Sequence, residues 1–126
     1  MNEHILVVDD EAPIRDLLST FFRKRDYQVT TAGSAEEAQR LAKEPSLKLV
    51  VLDIALGEED GLELLAALKA VHPKLPVIIL TGMGFDDELL QEALEKGAAG
   101  YVSKTLPLEQ LLMEVHRTLK QHPQVS

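Results

Sequence analysis

Three short stretches of this chain, "ILVV" at Ile5–Val8, "LVVL" at Leu49–Leu52 and "VIIL" at Val77–Leu80, are apolar at every position rather than at every second one. A strand that shows one face to water alternates polar and apolar residues. An unbroken branched run needs cover on both faces, as in the central strands of a parallel sheet sandwiched between helices. Amphipathic segments lie between these runs, such as the one carrying Leu108, Leu112, Val115 and Leu119, with the spacing of a helix that buries one stripe. The alternation constrains the chain to repeated βα units.

The pattern predicts strands over His4–Asp9, Tyr27–Thr31, Leu47–Asp53, Pro76–Thr81 and Gly100–Ser103, the second being mixed in character and placed at a sheet edge. Helices are predicted over Pro13–Arg25, Ala35–Lys43, Leu62–Val71, Asp86–Lys96 and Pro107–Gln121. Local chemistry agrees: Pro13 and Pro107 suit first turns, Ser34 with Glu37 forms a capping box, Asp86 and Asp87 suit a helix start, and Gly97 and Pro73 suit helix ends. Right-handed crossovers then give an α/β fold, a doubly wound five-stranded parallel sheet of order 2-1-3-4-5 in a flavodoxin-like (βα)5 sandwich. A length of 126 residues fits one domain over 1–126, with a core from about residue 4 to 121 and short tails, Met1–Glu3 and Gln121–Ser126.

Composition narrows the function. Twenty-one acidic against thirteen basic residues give a net charge of −8, the wrong sign for direct nucleic-acid binding. Cysteine is absent, which excludes disulfides and thiolate metal sites. The longest apolar stretches, Leu47–Leu52 and Pro76–Leu80, fall far short of the roughly 20 residues of a membrane span, and the start lacks a signal-peptide pattern. The expectation is a cytoplasmic protein that does not engage the membrane.

The functional signal sits at the strand ends. Strand one runs into Asp9 and Asp10, strand three into Asp53, strand four into Thr81, and strand five into Ser103 and Lys104. In a doubly wound sheet all of these fall on one edge, where ligands bind beside strand one. With strands one and three adjacent, the three carboxylates are expected to stand close together and to repel one another strongly unless a cation sits among them. Hard oxygens with no nearby His or Cys suit Mg²⁺ or Mn²⁺. Taken singly, each acid is equally at home as a strand-end turn residue; three acids with a Thr and a Lys on one edge are not so easily read that way.

The motifs "ILVVDDE", "LVVLDIALGEEDGLELL", "PVIILTG" and "GAAGYVSKTLPLEQLL" span nearly the whole chain, which resembles the receiver domain of two-component response regulators. The resemblance implies that Asp53 is a phosphoacceptor taking a phosphoryl group from the histidine of a sensor kinase or phosphotransfer protein. It implies Mg²⁺ held by Asp9, Asp10, Asp53 and the backbone carbonyl of Ala55, one of the two adjacent acids binding directly and the other directly or through water. Lys104 would contact Asp53 and then the phosphoryl group, and Thr81 would bond a phosphoryl oxygen. Tyr101 would switch rotamer as Thr81 moves, so that helix four, strand five and helix five present a changed face to a partner or output domain. Such a protein is a signalling phosphoacceptor rather than an enzyme, although it assists its own phosphorylation and dephosphorylation.

Two positions depart from the family pattern. Thr105 follows Lys104 where Pro is usual, and without Pro a cis bond costs about 2.5–4 kcal/mol, so a trans bond is expected. Gly57 replaces another usual Pro, which is expected to loosen the loop carrying Glu58, Glu59 and Asp60, while Ala55, Gly82 and Met83 flank the acceptor. Other classes fit less well. A flavodoxin-like redox domain wants phosphate donors in the first turn, where "DDEAP" stands. An acyl-phosphate hydrolase needs a general acid, for which Asp10 is the candidate. A pseudo-receiver would not retain the full set of acids, Thr and Lys.

Overall fold

The computed structural model describes residues 3–82, 87–104 and 107–121. Five strands form one parallel sheet: β1 (His4–Val8), β2 (Gln28–Ala32), β3 (Leu47–Asp53), β4 (Val77–Thr81) and β5 (Gly100–Ser103). Five helices alternate with them: α1 (Ala12–Arg23), α2 (Ala35–Leu41), α3 (Gly61–Val71), α4 (Asp87–Glu95) and α5 (Leu108–Gln121). The order is β2-β1-β3-β4-β5, as expected, with the mixed strand β2 at an edge.

The unbroken apolar runs are buried on both faces. On one face Leu6, Val8, Val50, Leu52, Val77 and Ile79 meet the residues of α2, α3 and α4; on the other Ile5, Val7, Leu49, Val51, Ile78 and Leu80 meet α1 and α5. Side chains alternate across a strand, so each run supplies two cores at once. Phe22, fully buried, packs edge-on to Phe21 and Tyr27, with ring centroids 5.2 and 5.5 Å away.

Boundaries shift by a residue or two where hydrogen bonding decides them. Pro76 has no amide to donate, so β4 pairs from Val77, although the Pro76 carbonyl accepts from Val50. Helix α1 closes at Arg23 because the Tyr27 amide turns back to the Phe22 carbonyl. Pro107 precedes α5 rather than opening it, its carbonyl accepting from the Gln110 amide at 2.9 Å. Asp86, Met83 and Thr105, and with Thr105 the Lys104–Thr105 bond, lie outside the described residues. Gly97 takes φ +101° past the end of α4, a conformation that costs glycine little.

Ser34 caps α2, its Oγ accepting from the Glu37 amide at 3.2 Å. The reciprocal bond of the expected capping box runs one residue further out, from the Gly33 amide to Glu37 Oε1 at 2.8 Å. Ser34→Ala is therefore expected to cost about 1 kcal/mol of stability, read as a lower urea midpoint at unchanged slope.

The loop after β3, where Gly57 stands in place of the usual Pro, carries regular structure. Ala55–Leu56 pairs antiparallel with Glu59–Asp60 in a small hairpin, and Gly57 adopts φ +62° at its turn. Two of its acids have local work: Asp60 Oδ1 caps α3 by accepting from Leu62 N at 2.9 Å, and Glu59 Oε1 accepts from Ala35 N at 3.0 Å, tying the hairpin to the start of α2. Gly61 must be glycine here. A Cβ on it would lie 2.5 Å from the Ile54 carbonyl oxygen and 2.7 Å from that of Asp53.

Candidate functional site

Because parallel strands all point the same way, the sheet delivers its strand-end residues to one edge. Asp53 ends β3 opposite Leu80 of β4, and is only 2% exposed. Its Oδ1 accepts from the Ala55 amide at 3.1 Å, and its Oδ2 accepts from Lys104 Nζ at 2.7 Å. Asp9, completely buried, follows β1; its Oδ1 accepts from the Glu11 amide at 2.9 Å. Asp9 Oδ2 faces Lys104 Nζ at 3.0 Å, an ion pair whose angles fall outside those of a hydrogen bond. Glu11 Oε1 stands 3.6 Å from the same ammonium. Asp10 is exposed, and carboxylate oxygens of Asp9, Asp10, Glu11 and Asp53 all lie within 4.8 Å of one another.

Lys104 reaches this cluster because its amide donates to the Thr81 carbonyl at 2.7 Å, continuing the β4–β5 pairing beyond Ser103. Gly82 leaves room for the lysine stem, with Lys104 Cδ 3.8 Å from where a Cβ would stand. Thr81 is fully buried opposite Ser103. Tyr101, half-buried, sits opposite Ile79 and packs on the core face shared with α2, α3 and α4. Leu94 of α4 and Met113 of α5 are exposed.

The electrostatics follow from burial and crowding. Burial pushes the Asp53 carboxyl above the usual range and Asp9 pushes it further, against the hydrogen bonds from Lys104 and Ala55 and the lysine charge. Burial alone would lower the Lys104 pKa, but its hydrogen bond to Asp53, its close contact with Asp9 and the charges of both more than reverse this and raise it. One ammonium therefore serves three carboxylates. The donor set is hard oxygen alone, with two of the four acids open to water, and it fits a small divalent cation that keeps part of its hydration.

All the strand-end residues singled out in the sequence thus come to one sheet edge: Asp9, Asp10 and Asp53 are in mutual reach, Lys104 pairs with Asp9 and Asp53, Thr81 and Ala55 adjoin them, and Tyr101 lies on the neighbouring strand. Two residues escaped the sequence reading. Glu11 is the N-cap of α1, yet its side chain caps nothing and turns to Lys104 instead. Arg15 Nη1 donates to the Asp9 carbonyl at 2.6 Å, fixing the main chain between the two adjacent acids. Neither carries a sequence signal, since acids and arginines are ordinary in a first helical turn.

Comparison with known proteins points one way. The family model described as "Response regulator receiver domain" matches residues 5–116. Protein PetR of Rhodobacter capsulatus is 35% identical over 121 residues, covering 96% of this chain and 50% of that protein. A CheY-like receiver domain from Methanospirillum hungatei superposes with a TM-score of 0.90 at 27% identity, covering 97% of both chains. A response regulator from Burkholderia pseudomallei, solved with a phosphorylated aspartic acid, a calcium ion and citrate, has a TM-score of 0.82 at 26% identity, covering 95% of this chain and 73% of that one. The chain spans about half the length of the curated relatives it matches. Among the described residues, no helix is long and apolar enough to cross a membrane.

Proposed function

We propose, on the premise that this chain belongs to the response regulator receiver family of two-component systems, that Asp53 is its phosphoacceptor and that residues of the same sheet edge carry the transfer. The observation that carries this reading is a buried strand-end carboxylate in hydrogen-bond contact with a lysine ammonium, among three further carboxylates. In the transfer an Asp53 oxygen bonds to phosphorus while the bond from phosphorus to the donor histidine nitrogen breaks, the electron pair leaving with the nitrogen. The product is an aspartyl phosphate.

Each neighbour has a task. The Ala55 amide holds one Asp53 oxygen and so orients the other. Lys104, already on Asp53, is placed to follow negative charge onto the phosphoryl oxygens. Asp9, Asp10, Asp53 and the Ala55 carbonyl are the residues that would hold Mg²⁺ or Mn²⁺, which supplies neutralisation of phosphoryl oxygen charge. Thr81 and Tyr101 carry the change outward to α4, β5 and α5, the face offered to a partner or output domain. The wider setting is part of the same reading: residues 4–121 as one cytoplasmic receiver domain, a sensor histidine kinase or phosphotransfer protein as donor, and no contact with nucleic acid by this domain. Its role is to carry a signal; any assistance to its own phosphorylation and dephosphorylation serves that role.

Incubating the chain with acetyl phosphate and following intact mass tests this. The expected result is gain of a single phosphoryl group that requires Mg²⁺ and is lost when a chelator is added first. No gain in any divalent cation would overturn it.

A further inference from the structure

The Glu11 main chain starts α1, its carbonyl accepting from the Ile14 and Arg15 amides, but its side chain plays no such part. Glu11 occupies the N-cap of α1 in an extended conformation, where a side chain would ordinarily accept from a helix amide, but it makes no such bond. Its carboxylate, 62% exposed, stands 3.6 Å from Lys104 Nζ, the ammonium that also pairs with the buried Asp9 and Asp53. An anion at Asp53 therefore meets a fourth negative charge within about 5 Å of the reacting centre.

We infer that Glu11 sets which phosphoryl donors the pocket accepts. This rests on the phosphoacceptor reading of Asp53. Glu11 deepens the negative field that retains a divalent cation, and it penalises a small dianionic donor arriving free from solution. A phosphohistidine carried on a protein surface is held against the pocket by contacts elsewhere, so the penalty falls chiefly on free donors. In both cases the bond from phosphorus to the leaving group breaks as the bond to Asp53 forms, so Glu11 alters the approach and not the chemistry. At about 5 Å, and with the near-water dielectric of about 50 to 80 that suits a carboxylate this exposed, one unit charge is worth roughly threefold to tenfold in an equilibrium or rate.

The test compares wild type, Glu11→Gln and Glu58→Gln, the last removing an exposed acid of the neighbouring hairpin outside the cluster. Mn²⁺ affinity is read by electron paramagnetic resonance. Intact mass gives the rates of labelling by acetyl phosphate and by the less charged phosphoramidate at saturating Mg²⁺. Glu11→Gln is expected to bind Mn²⁺ about threefold to tenfold more weakly and to raise the acetyl phosphate to phosphoramidate rate ratio by a similar factor. The rise in ratio should shrink in about 1 M salt, where screening is strong. Glu58→Gln should leave the ratio at its wild-type value. An unchanged ratio in Glu11→Gln, or the same change in both variants, overturns the inference while leaving Asp53 as acceptor. Failure of the wild type to gain any phosphoryl group overturns the acceptor reading and this inference with it.

Discussion

Asp53→Asn is expected to gain no phosphoryl group under conditions that label the wild type fully, and, in chelator at neutral pH, to unfold at a higher temperature. The first half follows from chemistry: an amide oxygen is a far poorer nucleophile than a carboxylate, and no other described carboxylate is both buried at a strand end and hydrogen-bonded to Lys104. The second follows from the sign of the Asp53 shift. Its pKa is raised in the folded protein by burial and by Asp9. A carboxyl with a raised folded pKa contributes stability that is complete below its unfolded pKa and is lost as pH climbs through the folded value. Above that folded value the wild type has lost the contribution, whereas asparagine does not ionise. Lys104 remains partnered in the variant, by Asp9 at 3.0 Å and Glu11 at 3.6 Å. Thermal melts across pH should therefore show the variant's advantage at neutral pH narrowing as pH falls toward the ordinary carboxylate range. A variant less stable than wild type at neutral pH would mean that the lysine contact outweighs burial and repulsion.

Gly61→Ala is expected to be the most damaging single methyl group that can be added near the site. The new Cβ would stand 2.5 Å from the Ile54 carbonyl oxygen, 2.6 Å from Ile54 Cα and 2.7 Å from the Asp53 carbonyl oxygen. All three are backbone atoms at the end of a buried strand, so no side chain can rotate away. Overpacking in a tight core ordinarily costs up to about 3 kcal/mol, and this contact belongs at or above that figure. Relief requires moving α3 away or displacing the main chain that aims Asp53. Chemical denaturation should show the loss of stability, and phosphoryl labelling of the fraction that remains folded should be slowed. Wild-type stability with wild-type labelling would show that the hairpin yields freely.

The fold was legible because its strongest signal is local and redundant. Runs such as Val77–Leu80 can satisfy both faces only in a covered parallel sheet, and the caps at Ser34 and Gly97 mark element ends independently. The site was legible in part for the same reason: once strands are parallel, Asp9, Asp53, Thr81 and Lys104 must share an edge. The hairpin at Ala55–Asp60 was not legible, since two-residue strands have no periodicity and the Gly57 turn reads equally well as slack. Glu11 was hidden for a different reason. Its place in the cluster depends on a side chain leaving the helix end that it would usually cap, and that choice is made by Lys104, 93 residues further along the chain.

The bond from the Ala35 amide to Glu59 has a consequence for how the two loops beside the site open to solvent. Ser34 secures the Glu37 amide, but the first amide of α2 is secured from outside, by an acid of the hairpin that also presents the Ala55 amide to Asp53. A helix start that borrows its partner from another loop cannot keep that partner when the loop lifts away. Fraying of α2 and movement of the hairpin beside Asp53 are therefore expected to go together, with hydrogen exchange at the Ala35 amide as the measurement that checks it.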